Sequence, residues 1–304
     1  MFVQYINSGT TAILKLLKSN CIDNVIVAED LCPEVMQSIL KIGVKLLIAP
    51  VSKLGRSADY YITYFSNQSP YIKTAILFSH AYGVYDEDQL NNLKKHVLSS
   101  DILINDCCLC DPIEMLDIHN LSLPAVCSFG YSKVLDLECG GLLLTSEKYQ
   151  TDLPRNLIKH HITRFDYRYL FETKSNVSVR IDAFKSSLFY LMLLRYRNDL
   201  FLRKSQYRCI LKNTFHDCNF LDSPWRFVLF TNFNQPTVQE LQDRALKCGV
   251  FLGANYPLIK LINDDLTIDI EKMNSIGWPI NIFTDFRVTD SYIKKVCKLL
   301  RSEL

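Results

Sequence analysis

Short apolar runs bounded by turn residues alternate with helix-length segments through the first half of this sequence, and no other feature restricts the fold as much. Val25-Ile26-Val27 is followed by a helix-like run from Pro33 to Leu40, then Gly43, then the strand-like Lys45-Leu46-Leu47-Ile48-Ala49. Thr74-Ala75-Ile76-Leu77-Phe78 reads as another strand, Glu87 to Leu98 has helical spacing, and Asp101-Ile102-Leu103-Ile104-Asn105-Asp106 is a strand that ends on a carboxylate. Leu123-Pro124-Ala125-Val126-Cys127 and Gly141-Leu142-Leu143-Leu144-Thr145 add two more short buried strands. Repeated βα units predict a largely parallel sheet with helices on both faces. Beyond it, Arg180 to Leu211 reads as one long helical stretch. Arg226-Phe227-Val228-Leu229-Phe230, a helix from Thr237 to Cys248 and a closing helix from Thr289 to Leu300 predict an α+β end domain. We expect a large α/β domain over residues 1–185, then a linking helix and a small α+β domain over 186–304. With 304 residues, 48% of them apolar, the chain can bury a core of that size.

The chemistry concentrates at the ends of these strands. Lys133 lies in the loop Ser128-Phe129-Gly130-Tyr131-Ser132-Lys133-Val134-Leu135-Asp136-Leu137-Glu138-Cys139-Gly140-Gly141, between two buried runs. Asp106 closes a strand at the edge from which open α/β sheets present side chains to ligands. A lysine amine forms a Schiff base with an aldehyde cofactor, and an aspartate facing a pyridine nitrogen keeps that nitrogen protonated. Pyridoxal 5′-phosphate needs both groups. Singly, each residue has a plainer reading, the lysine as a surface charge and the aspartate as a turn or cap residue. Near the N-terminus, Ser8-Gly9-Thr10 precedes an amphipathic run containing Ala12, Ile13, Leu14, Leu16 and Leu17. Small residues opening a helix N-terminus aim backbone amides at an anion. An ordinary helix cap is the alternative; with Ser128 adding a hydroxyl, we favour a phosphate cup.

In order along the chain, Asn7-Ser8-Gly9-Thr10-Thr11-Ala12, His80-Ala81-Tyr82-Gly83, Asn105-Asp106-Cys107-Cys108 and Ser128 to Gly141 resemble motifs of the DegT/DnrJ/EryC1/StrS sugar aminotransferases. These are the family's Ser-Gly-Thr-x-Ala phosphate loop, His-x-Tyr-Gly segment, Glu-Asp-Ala-Ala strand end and Ser-Phe-x-x-x-Lys…Gly-Gly loop. The last is the most specific, since Lys133 and both glycines fall at the family spacing. Arg180 and Tyr256-Pro257 fit the weaker tail, so the resemblance runs from about residue 2 to the end. It implies a fold-type I transferase fold, with pyridoxal phosphate held by Ser8, Gly9, Thr10, Asp106, Ser128 and Lys133, and with Lys133 and Asp106 catalytic. It further implies transfer of an amino group from glutamate to a nucleotide-linked keto sugar, as in polysaccharide or glycoconjugate precursor synthesis, by a homodimer. Lys133 argues against the family's dehydratase branch, where histidine replaces that lysine.

Departures from the family pattern keep a second reading open. The sequence begins almost at the phosphate loop, so the resemblance implies that an earlier family segment is missing. The family's aromatic that stacks on the cofactor falls on Cys32, its Gln or His after the aspartate on Leu109, and its Asn before the helix-opening Arg on Ser178, although Asn176 is close by. Before the glycine pair Cys139 stands at the acidic position, with Glu138 shifted by one. A degenerate relative that keeps the fold, as a cofactor-binding or partner subunit, is the alternative to an active aminotransferase.

Charge and composition narrow the partners. A net charge of +2 with scattered Lys and Arg gives no polybasic face, so no nucleic-acid partner is expected. Neither a signal peptide nor an apolar stretch of about 20 residues is present, which predicts a cytoplasmic protein with no membrane partner. Cys107, Cys108 and Cys110 cluster beside Asp106, but no second Cys or His cluster lies at zinc-ribbon spacing, and strand alternation points neighbours to opposite faces. Free buried thiols in a reducing compartment are the simpler account of the 11 cysteines, and no metal is expected.

Overall fold

The computed structural model describes residues 2–6, 8–51, 56–97, 102–117, 123–130, 133–135, 140–146, 198, 202, 204–254, 258–263, 265–284 and 288–303. The chain opens β1 (Phe2–Ile6), α1 (Gly9–Ser19), β2 (Asn24–Ala28), α2 (Pro33–Lys41), β3 (Lys45–Ala49), α3 (Ala58–Ser66) and β4 (Thr74–Ser79). It continues through α4 (Glu87–Lys94), β5 (Ile102–Asp106), α5 (Pro112–Asp117), β6 (Ala125–Ser128) and β7 (Gly141–Thr145). These strands form one seven-stranded sheet in the order β1-β7-β6-β5-β4-β2-β3. β2 to β6 pair in parallel, and only β7 runs against the rest, antiparallel to both β6 and β1.

Burial explains the continuous apolar runs. β2 and β4 are buried at every position, as expected of parallel strands covered on both faces. Alternate residues feed opposite cores. Val25, Val27, Ala75, Leu77, Ile104 and Val126 pack against Ala12, Ile13, Leu16 and Leu17 of α1 and Met36 and Ile39 of α2. Ile26, Ile76, Phe78 and Leu103 face Tyr61 of α3 and Leu90 and Leu93 of α4. Each fully buried leucine of α1 contributes about 1.5–3 kcal/mol. α4 ends at Lys94, where the amides of Lys95 and His96 bond three residues back, to Asn92 and Leu93; Leu98, the expected end, lies outside the described residues.

The second half supplies α6 (residues 204–214), β8 (Phe220–Asp222), β9 (Phe227–Leu229), α7 (Gln235–Lys247), β10 (Gly253–Ala254), β11 (Ile259–Ile262), β12 (Asp265–Ile268), α8 (Ile270–Ile276), β13 (Ile280–Ile282) and α9 (Asp290–Arg301). A four-stranded antiparallel sheet, β10-β13-β9-β8, packs against Leu211 of α6, Leu241 and Ala245 of α7, and Ile293, Val296 and Leu300 of α9. Of the long helix expected from Arg180 to Leu211, its C-terminal part is helical from 204 on, and most of the remainder lies outside the described residues.

The β11–β12 hairpin returns to the large sheet. Ile259 joins the core of α1 and α2, and its amide donates to the Glu29 carbonyl at 2.7 Å. Glu29 is itself buried, accepting from the Val51 amide at 2.6 Å and from Lys272 of α8 at 2.5 Å. Leu258, Met273 and Trp278 pack into the same cluster as Ala49, Val51 and Tyr61, so one core spans both halves of the sequence. No helix among the described residues is long and apolar enough to cross a membrane.

Candidate active site

The carboxyl ends of β5 and β6 meet the N-terminus of α1 at one edge of the large sheet, with β4 and β2 next in sheet order. Ser8 caps α1: its Oγ accepts the Thr11 amide at 3.1 Å and lies 2.9 Å from Thr11 Oγ1, while its carbonyl accepts the Ala12 amide at 3.1 Å. The amides of Gly9 and Thr10 precede these at the positive end of the helix dipole. Gly9 is fixed by crowding rather than by its dihedral. A Cβ there would stand 2.6 Å from Cys108 Sγ and 3.1 Å from Ser128 Cβ, so the helix start touches the ends of β5 and β6 at once. Gly141 has the same role from the other side, since its Cβ would lie 2.6 Å from the Cys127 carbonyl oxygen and 3.1 Å from the Gly9 nitrogen. Ser8, Gly9, Thr10 and Ser128 thus line one cradle, with Gly140 bridged to Ser8.

Asp106 ends β5 at 6% exposure, and one carboxylate oxygen accepts the Cys108 amide at 3.0 Å. Ser128 ends β6, and its Oγ accepts the Gly130 amide at 3.4 Å. Lys133 is half-buried in the following loop, its amide donating to the Gly130 carbonyl at 3.2 Å. Burial pushes the thiols of Cys32 and Cys108 upward, and in both the Lys133 ammonium works the other way. The lysine charge is therefore felt both at the start of α2 and at the end of β5. Glu138, Cys139, Asn176, Ser178, Arg180, Tyr256 and Pro257 lie outside the described residues.

Other groups at this edge carried no expectation. Arg56 is buried and donates to Asp30 Oδ1 through Nε and Nη2, at 2.9 and 2.8 Å, and through Nη1 to the Ser79 carbonyl at 2.5 Å. Ser79 pairs with Asp106 in register across β4 and β5, so this cation sits one strand from the carboxylate. Burial opposes the charge on Arg56, but Asp30 beside it holds its pKa above the ordinary value. The only sequence signal was the carboxylate pair Glu29-Asp30 directly behind the apolar β2.

The His80 to Gly83 segment forms a short turn in which Tyr82 and Gly83 both adopt positive φ, 54° and 80°. Gly83 is required there because a Cβ would fall 2.0 Å from the Leu109 carbonyl oxygen. His80 is buried, its Nε2 2.6 Å from Asn105 Oδ1 and its Nδ1 accepting the Asp86 amide at 3.0 Å. Burial lowers its pKa to about 4 and keeps the imidazole neutral at pH 7.

No family model matches the chain, and no curated protein does. Solved structures do. DesV from S. venezuelae, solved with a ketimine intermediate, superposes with a TM-score of 0.66 at 15% identity, covering 99% of this chain and 84% of its own. The sugar aminotransferase CalS13 from Micromonospora echinospora gives 0.66 at 15%, covering 99% and 87%. Spr1654 from Streptococcus pneumoniae in its PLP form gives 0.67 at 12%, covering 99% and 86%. The chain has the α/β fold of type I pyridoxal phosphate aminotransferases, the fold that the motifs implied.

Proposed function

We propose that the protein is a pyridoxal phosphate-dependent aminotransferase acting on a sugar, with glutamate as amino donor and a nucleotide-linked keto sugar as acceptor. The observation that carries this reading is the meeting of Gly9, Ser128, Cys108 and Asp106, with the Lys133 charge acting on Cys108, at the edge where this fold presents its ligand groups. The residues fit the cofactor: backbone amides and hydroxyls at a helix N-terminus suit a phosphate dianion, and a buried carboxylate suits a ring-nitrogen proton. When bound, pyridoxal phosphate supplies an aldehyde that accepts amino groups and a pyridinium ring that withdraws electrons. The amides of Gly9 and Thr10 and the Ser128 hydroxyl would hold the phosphate. Asp106 would hold the proton on the ring nitrogen, and its own orientation is set by the Cys108 amide. Lys133 Nζ is the amine that would hold the group, and it would carry the proton taken from the donor Cα.

Protein loaded with cofactor is expected to lose its yellow colour on addition of glutamate and to recover it with a nucleotide-linked keto sugar. Asp106→Asn retains the cofactor through the phosphate cradle but slows this bleaching about a hundredfold, ~3 kcal/mol for a charge-assisted hydrogen bond. Colour that persists through a screen of amino donors overturns the assignment and favours the degenerate, cofactor-binding reading. Cys32 is the residue that speaks for that second reading. It starts α2 beside the Lys133 charge and offers no ring to stack on a cofactor, a loss of roughly 0.5–1.5 kcal/mol.

We further propose a homodimer, the symmetric assembly most soluble oligomers adopt. Sedimentation at micromolar concentration with cofactor present is expected to give twice the chain mass; a monomer overturns this.

A further inference from the structure

The face of the large sheet opposite α1 carries a second constellation, which the aminotransferase reading does not use. Beyond the end of β5 the chain turns tightly: the Cys107 amide donates to the Val126 carbonyl at 2.8 Å and the Cys110 amide to the Cys107 carbonyl at 3.0 Å. Cys108 goes to the α1 side, with its Sγ against Gly9, while the turn brings Cys110 back to the side of Cys107. His80 arrives from the end of β4, the neighbouring strand. One ligand atom from each of His80, Cys107 and Cys110 lies within 4.8 Å of the others, and all three residues are buried.

We propose that His80, Cys107 and Cys110 form a binding site for one thiophilic divalent cation, zinc by the chemistry of the donor set. Two thiolates and a neutral imidazole are ligands of zinc sites, whereas calcium and magnesium take oxygen. Zinc–sulfur bonds of about 2.3 Å and zinc–nitrogen bonds of about 2.0 Å place tetrahedral ligand atoms roughly 3.5–3.8 Å apart, so closing on the ion needs side-chain shifts of about 1 Å. Two thiolates balance the ion's charge, which suits a buried centre. In His80, Nε2–H donates to Asn105 Oδ1, the outer contact that fixes a metal-binding tautomer, and leaves the lone pair on Nδ1, where it accepts the Asp86 amide at 3.0 Å. Binding through Nδ1 exchanges the Asp86 amide for the ion. Cys127 is buried in the same apolar cluster but stands outside this close group, so the fourth position is left to a neutral ligand such as water, which keeps the charge balanced. The ion braces the turn that follows Asp106 and so fixes the Cys108 amide that orients that carboxylate.

The test is independent of pyridoxal phosphate. Full-length protein purified under reducing conditions and dialysed without chelator is expected to retain about one zinc per chain by elemental mass spectrometry. The Cys107→Ser/Cys110→Ser double variant falls below about a tenth of that, while Cys21→Ser/Cys248→Ser, at exposed positions, leaves it unchanged. As a check that needs no variant, cobalt added to chelator-stripped wild-type protein develops a thiolate-to-cobalt charge-transfer band that saturates at one equivalent. Wild-type protein that holds no zinc and gives no such band overturns the site. So does zinc retained undiminished by the double variant.

Discussion

Replacing Lys133 by alanine is expected to abolish reductive trapping of pyridoxal phosphate on the chain. Wild-type protein given cofactor and borohydride carries the label on the peptide containing Lys133. The size of the effect follows from the chemistry, since only an amine at this position can make the covalent link, and a methyl group cannot substitute for it at any affinity. Folding should survive, because Lys133 is only half-buried and the contact that places it in the loop is its backbone amide on Gly130, which alanine keeps. The variant should therefore show the wild-type unfolding midpoint and no label. Label on a different lysine, or undiminished label in Lys133→Ala, overturns the assignment of this residue.

Replacing Gly83 by alanine is expected to lower the unfolding free energy by roughly 2–4 kcal/mol, read as a shift in denaturant midpoint. Two costs add at this position. A φ of 80° is one that a side chain rarely adopts, and the new Cβ would lie 2.0 Å from the Leu109 carbonyl oxygen, which belongs to the turn behind Asp106 and cannot rotate away. Gly43 separates the two. It has nearly the same φ, 81°, but nothing within 4 Å of a Cβ. Gly43→Ala should thus cost only the dihedral share, about 1 kcal/mol. Equal losses in the two variants would show that the close approach to Leu109 does not exist in solution.

The elements that could be read in advance were those whose apolar pattern coincides with burial. β7 spans the residues expected of it, and β2, β3, β4, α2 and α9 match within a residue or two, because these segments are apolar on every face that they bury. α3 carried no such signal. Its sequence Ala58-Asp59-Tyr60-Tyr61-Ile62-Thr63-Tyr64-Phe65-Ser66 is rich in aromatic and β-branched residues that favour strands. It is helical because Ser57 caps it, the Ala58 amide finds Gln89 Oε1 at 2.6 Å, and Tyr61 buries itself beside Phe78. β1 went unread for a similar reason, since its place at the sheet edge comes from pairing with β7.

At the candidate site the local chemistry was legible and the long-range chemistry was not. A glycine-bearing helix start, a strand ending on Asp106 and a loop carrying Lys133 are each written in a few consecutive residues, and short-range stereochemistry alone makes them into a cap, a strand end and a loop. Arg56 with Asp30, Lys272 with Glu29, and His80 with Cys107 and Cys110 join residues from separate segments. No spacing rule foretells them, because strand order decides which loop ends become neighbours: β5 lies beside β4, so His80 meets the cysteines, and the β11–β12 hairpin returns to β3, so Lys272 meets Glu29. The sequence by itself determined the layered α/β class and the identity of the groups at each strand end, through apolar periodicity and turn chemistry. Which of those groups share a pocket was decided only by the tertiary structure, because side chains meet through the packing of whole elements.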